Sequence, residues 1–141
     1  MLGNLARRLR WLGYDAEYRS DLPDEVMMRI AQEEGRVLIT SDRGLASRRG
    51  LRSLFLPTAE LSVQVESVMA ALGLPTGPSR CTVCNGDLEP LERVEASPLV
   101  PTYVAATQTE FACCSRCHRV YWPGTHWSGL QAWRTHNVAY P

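Results

Sequence analysis

Two cysteine pairs, Cys81-Thr-Val-Cys84 and Cys114-Ser-Arg-Cys117, constrain this chain more than any other feature. Each pair sets two thiolates within reach of one tetrahedral metal, and two such knuckles supply the four sulfur ligands of a structural zinc site. The 29 residues between Cys84 and Cys114 exceed the tightest zinc-ribbon spacing and leave room for a hairpin or a loop. A single CxxC also fits redox chemistry, but two in a chain with five cysteines point to zinc. A pair of disulfides is the competing reading, and it requires an oxidising compartment. Cys113 adjoins Cys114, cannot share its geometry, and is expected to be a bystander thiol.

The opening residues argue against export. Met1-Leu-Gly-Asn-Leu-Ala-Arg-Arg-Leu-Arg10 has no uninterrupted apolar core of signal-peptide length, because arginines break it repeatedly. No stretch approaches the roughly 18 apolar residues of a membrane span. The expected setting is cytoplasmic, with reduced thiols and no membrane partner. A chain of 141 residues holds one ordinary domain or two small ones. A segment of about 50 residues buries little core, which is where a metal staple matters. Net formal charge is zero, so no bulk field draws the chain onto nucleic acid. Every basic residue is arginine, and ten of the fifteen fall within residues 1–58. Arg7, Arg8, Arg10, Arg43, Arg48 and Arg49 either track a phosphate backbone or solvate helix faces.

Hydrophobic spacing predicts an α/β fold for the first half. Leu2, Leu5, Leu9 and Leu12 recur at helical spacing with Ala6 on the same face, Arg7, Arg8 and Arg10 mostly off it, and Gly13 as a stop. A short extended piece is expected over 15–18. A second helix, opened by Asp21-Leu-Pro-Asp24 and ended at Gly35, carries Val26, Met27, Ile30 and Ala31. Val37-Leu-Ile-Thr40 reads as a strand buried on both faces, Arg43–Arg49 as a short helix and Leu54-Phe-Leu56 as another buried strand. Leu61, Val65, Val68, Met69 and Leu72 line a last helix closed by Gly73. Helices alternating with short strands imply a small parallel sheet flanked by helices. The division expected is 1–74 for this domain, 75–80 for a Pro/Gly linker, 81–127 for a Cys₄ zinc ribbon and 128–141 for a tail in which Trp133 could dock. Within the ribbon, 94–103 is an excursion between knuckles, and Val120-Tyr-Trp122 a strand whose aromatics cover the metal site.

In parallel α/β sheets, ligand-binding groups gather beyond the carboxyl ends of the strands. Asp42 follows Thr40 there, and Asp24 opens the helix preceding that strand. Converging carboxylates would bind Mg²⁺ or Mn²⁺, hold a phosphodiester and activate water. The plainer reading makes both residues cap or turn aspartates. His118 is a possible substitute zinc ligand, and His126 is expected to order the end of the ribbon. Trp122 and Trp127 either stack on unpaired bases or cover the small core beside the metal.

Several stretches resemble one family in order along the chain. They are Met1-Leu-Gly-Asn-Leu-Ala-Arg-Arg-Leu-Arg-Trp-Leu-Gly-Tyr-Asp15, Pro23-Asp-Glu-Val-Met, Glu34-Gly-Arg-Val-Leu-Ile-Thr-Ser-Asp-Arg-Gly-Leu45, Cys81-x-x-Cys-Asn-Gly-Asp-Leu-Glu-Pro90 and Cys117-His-Arg-Val-Tyr-Trp-Pro-Gly-Thr-His-Trp127. They resemble the RNase domain found at the C-terminus of the Mut-seven exonuclease, in its stand-alone bacterial form. The resemblance implies a PIN-like nuclease fold joined to a zinc ribbon. It also implies a metal-dependent ribonuclease acting on RNA, single-stranded by expectation, with Asp24 and Asp42 matching two of the family's acidic positions. In that family a short strand with the first acidic residue precedes the Met-Leu-Gly segment. This sequence begins at Met1, so the resemblance leads to the expectation that Met1 is an internal methionine of a longer product. Two alternatives stay open: a catalytically inactive RNA- or protein-binding module, and a thiol–disulfide protein that uses the CxxC pairs.

Overall fold

The computed structural model describes residues 2–123. The expectations for His126, Trp127, Trp133 and the tail 128–141 lie outside the described residues. The chain separates into two compact units. The first contains the residues before Arg7 together with Glu17–Leu74, and the second contains Arg7–Ala16 together with the chain from Pro75 onward.

The division falls inside the first helix, α1 (Leu2–Leu12). Leu5, Ala6, Leu9 and Leu12 are all buried, as their spacing predicts. Arg10 and Trp11 are buried too, which the spacing did not predict. Gly13 ends the helix with its amide on the Leu9 and Arg10 carbonyls. Its φ of 107° is open to glycine, and a Cβ there would collide with the carbonyl oxygen of Gly77. No strand forms over 15–18. The backbone of Ala16 is held by side chains instead: its carbonyl accepts from Arg10 Nε at 2.7 Å, and its amide donates to Asn85 Oδ1 at 3.1 Å.

In the first unit, α2 (Asp24–Glu34) is followed by β1 (Leu38–Thr40), α3 (Arg43–Ala46), β2 (Ser53–Phe55) and α4 (Leu61–Leu72). β1 and β2 pair in parallel with Ile39 opposite Leu54, and Leu56 N donates to the Thr40 carbonyl just past the register. The alternation of helix and strand therefore gives the α/β architecture predicted. The strands are less buried than predicted, however. Leu38, Ile39 and all of β2 are half-buried, and only Thr40 is fully enclosed. The described sheet has two strands, so neither is flanked on both edges. The core is supplied mainly by the helices, through Leu5, Ala31, Leu45, Val65 and Val68, with Leu56 just beyond β2. Gln64, also enclosed, donates from Nε2 to the Thr58 carbonyl at 2.9 Å, which satisfies a polar group that burial would otherwise penalise.

In the second unit, β3 (Leu88–Leu91), β4 (Phe111–Cys114) and β5 (Val120–Tyr121) form an antiparallel sheet in the order β3-β4-β5. The expected excursion between the knuckles is itself helical: α5 (Arg93–Ala96), a 3₁₀ turn (Ser97–Leu99) and α6 (Thr102–Thr107). Ala96, Val104 and Phe111 make its small core, against which Leu91, Val100, Val120 and Trp122 pack. Trp122 thus takes the core-covering role. Among the described residues no helix is long and apolar enough to cross a membrane.

Candidate metal centre and acidic site

The four knuckle cysteines meet. Their sulfurs all lie within 4.8 Å of one another, with Cys81 and Cys114 buried, Cys84 half-buried and Cys117 exposed. Sulfurs of the two knuckles approach closely, Cys81 to Cys117 at 3.6 Å and Cys84 to Cys114 at 3.4 Å. A tetrahedral ion with bonds of about 2.3 Å to sulfur holds its ligands roughly 3.8 Å apart, so this cage is near the size for one such metal. Four sulfurs so close cannot all carry charge without a cation between them. Burial and neighbouring sulfurs push the Cys84 thiol up to about 12. Burial also opposes charge on Cys81, but the Tyr121 hydroxyl and the knuckle amides outweigh it and bring this thiol down to about 6. Cys114 is lowered as well, against burial, by the amides of Cys117 and Arg116.

The two knuckles close in the same way. The residue after each second cysteine adopts the left-handed conformation, Asn85 with φ 68° and His118 with φ 63°. Its amide then returns to the carbonyl of the first cysteine, at 2.9 Å for Asn85 and 3.0 Å for His118. His118 is exposed and does not join the sulfur cluster, so four cysteines, not three and a histidine, make the set. After Asn85 comes Gly86, where a Cβ would stand 2.7 Å from Cys114 Sγ and 3.2 Å from Cys84 Sγ. Only glycine leaves the sulfurs that space. Cys113 lies next along β4 and its sulfur turns to the Cys114 carbonyl, outside the cluster. Successive strand residues face opposite ways, which accounts for that.

A polar shell surrounds the first knuckle. The buried Arg10 donates from one terminal nitrogen to the carbonyls of Thr82 at 2.9 Å and Val83 at 3.4 Å, besides its bond to Ala16. It was grouped by sequence with the arginines able to follow phosphate, and its burial removes it from them. Asn85 Nδ2 donates to Asp15 Oδ1 at 2.6 Å, while its Oδ1 accepts from Ala16 N and from Arg80 Nε. Tyr121 places its hydroxyl 3.0 Å from Cys81 Sγ and accepts from the Thr82 amide at 3.2 Å. Its ring lies 5.8 Å from that of Trp11, tilted by 34°. Burial and the adjacent Cys81 raise the phenol to about 12, so it stays a donor to the sulfur. Among the described residues, no buried side-chain nitrogen or oxygen lacks a hydrogen-bond partner.

The acidic pair belongs to the first unit, and both side chains are exposed. Asp42 caps α3: its Oδ1 accepts from the Leu45 amide at 3.1 Å, and its own amide donates to Thr40 Oγ1 at 3.0 Å. Asp24 is not a cap. Pro23 holds that position and its carbonyl accepts the first helical amides, leaving Asp24 in the first turn of α2. Carboxylates at an N-terminal turn also favour the helix dipole. Apart from the cysteines, no group of three or more thiols, imidazoles or carboxylates lies within metal-holding distance among the described residues.

A small α/β unit joined to a four-cysteine cluster defines the class. Residues 1–133 match the Mut7-C RNAse domain family, and the chain belongs to that family. Neither a curated protein nor a solved structure matches it.

Proposed function

We propose that the chain is a metal-dependent ribonuclease that hydrolyses phosphodiester bonds of single-stranded RNA. The observation that carries this reading is the family match over residues 1–133, with Asp42 standing just past the carboxyl end of a parallel strand. Asp24 and Asp42 hold Mg²⁺ or Mn²⁺ in this reading. The ion supplies polarisation of the phosphate and a water of lowered pKa. Arg43, adjoining Asp42 and stacked 5.1 Å over the Phe55 ring, stands ready to balance developing negative charge. The four cysteines hold zinc, which is structural because the cage leaves no open ligand position. The ribbon assists RNA binding, and the reduced thiols suit a cytoplasmic setting.

Labelled single-stranded RNA incubated with the protein and Mn²⁺ tests the reading, repeated with Asp42→Asn. Asparagine still caps α3, so the fold is kept while the charge is lost. The expected outcome is cleavage by the parent and a fall of at least about a hundredfold in the variant, a loss of the size that charge-stabilising groups contribute. Cleavage that survives the substitution sinks the assignment of Asp42. One observation favours the second reading, a non-catalytic module: no three-carboxylate cage forms among the described residues. Binding without cleavage would establish that alternative.

A further inference from the structure

Four arginines, Arg43, Arg48, Arg49 and Arg52, lie within ten residues, and no acidic residue occurs between Asp42 and Glu60. All four are exposed, and none has a carboxylate partner among the described residues. The segment that carries them is held at both ends. Ser53 Oγ donates to the Ala46 carbonyl at 2.6 Å, across the loop from α3 to β2. The amides of Ser47 and Arg48 return to Arg43 and Leu45, and Gln32 of α2 donates to the Gly50 carbonyl at 3.2 Å. Gly50 turns the chain at φ 76° between Arg49 and Arg52. The loop is a braced turn whose Arg48, Arg49 and Arg52 have no carboxylate partner among the described residues, and it follows α3, which Asp42 caps and Arg43 opens.

The excursion of the second unit has the opposite character. Between Cys84 and Cys114 there are five acids, Asp87, Glu89, Glu92, Glu95 and Glu110, and one base, Arg93. That base is occupied internally, donating to the carbonyls of Ala105 and Ala106. It offers nothing to a polyanion.

We infer that Arg43, Arg48, Arg49 and Arg52 form the phosphate-binding strip that grips the backbone of single-stranded RNA beside Asp42, and that the inter-knuckle excursion stays clear of it. The inference rests on the ribonuclease reading for the identity of the polyanion. Guanidinium forks match phosphate oxygens in pairs, and each phosphate neutralised releases counterions. Binding through the strip is therefore steeply salt-dependent.

The test is fluorescence anisotropy of a labelled oligouridylate with the zinc-loaded protein, without added Mg²⁺ or Mn²⁺, over a series of salt concentrations. The variants are Arg48→Gln/Arg49→Gln, Arg116→Gln/Arg119→Gln and Glu92→Gln/Glu95→Gln. Loss of two phosphate contacts makes the slope of log affinity against log salt shallower by about 1.4, at about 0.7 per contact on a single strand. Affinity at low salt falls roughly tenfold or more with it. The Glu92/Glu95 pair keeps the parental slope. Four outcomes overturn the strip: no binding by the parent, an unchanged slope in Arg48→Gln/Arg49→Gln, a larger loss from the Arg116/Arg119 pair, or competition by polyglutamate as effective as RNA. Hydrolysis is read separately with Mn²⁺. Weakened binding in the strip variant with no cleavage by the parent leaves the strip standing and sinks the hydrolase. Cleavage with unchanged binding does the reverse.

Discussion

The two units hold themselves together by different means. The first relies on apolar side chains: Leu5, Ala31, Leu45, Leu56, Val65 and Val68 close over a two-stranded sheet, and its charged groups lie outside. The second has an apolar core of its own, with Leu12, Ala96 and Val104 enclosed, and it buries Arg10, Asn85 and two cysteines as well. A short ribbon has little apolar surface to offset the entropy of folding, which is where four cysteines able to hold a metal ion and charge-assisted hydrogen bonds add to it. The lesson is that burial means different things in the two halves. In both it contributes hydrophobic stability, and in the second it also fixes donors and acceptors around sulfur.

Removing the metal tests this contrast most severely. Structural zinc contributes about 10–16 kcal/mol in small zinc-dependent peptides. A strong chelator is expected to abolish hydrogen-exchange protection across β3, β4 and β5 while amides of α4 stay protected. Loss of protection in both units together would erase the distinction. Leu56→Ala probes the other side, with a cost of about 2–5 kcal/mol from a buried leucine and the cavity it leaves. Thermal unfolding is expected to show that loss in the first unit, with zinc affinity unchanged.

Arg10→Met is the next largest. It strips the Ala16, Thr82 and Val83 carbonyls of their donor; these residues are half-buried or exposed, so water replaces part of the loss and the cost is about 1–3 kcal/mol in all. Denaturant unfolding monitored at Trp11 measures the cost, and zinc is expected to leave faster. A smaller effect follows from Tyr121→Phe, about 1 kcal/mol for a hydrogen bond together with faster zinc transfer to a chelator, by about 10–100-fold. An unchanged transfer rate would show that the phenol only fills space. Asp42→Ala is the mildest, about 1 kcal/mol for a lost N-cap, recovered by Asp42→Asn and confined to the first unit.

Much of this was legible beforehand because it depended on local rules. The leucine spacing of α1, the stops at Gly13, Gly35 and Gly73, and the two short apolar runs that became β1 and β2 each follow from residues a few positions apart. The knuckles were legible for the same reason: x-x spacing between cysteines is a metal geometry written locally. What escaped depends on partners far along the chain. Arg10 looked like a surface arginine by periodicity, yet two of the three carbonyls that accept from it lie more than seventy residues away. Residues 15–18 join no strand, and the partner of the Ala16 amide is a side chain at position 85, which local pattern does not reveal. Cys84-Asn-Gly86 did carry a readable signal, since asparagine tolerates the left-handed conformation and glycine admits the sulfur. The helical excursion gave no such cue, because Pro98 and Pro101 break its apolar residues into runs too short to show a period. For the acidic pair, sequence gave residue types but not roles, and the cap that Asp42 provides was one of the two readings it allowed.

Because Arg7–Ala16 belong to the second unit, that unit is not a portable cassette. A fragment begun at Pro75 would keep every cysteine and still forfeit the guanidinium on Thr82 and Val83, the indole beside Tyr121 and the carboxylate on Asn85. Its sequence is therefore discontinuous in a way that simple cutting at the Pro/Gly joint ignores. Transplanting the metal-binding half into another protein requires carrying the chain's first helix along with it.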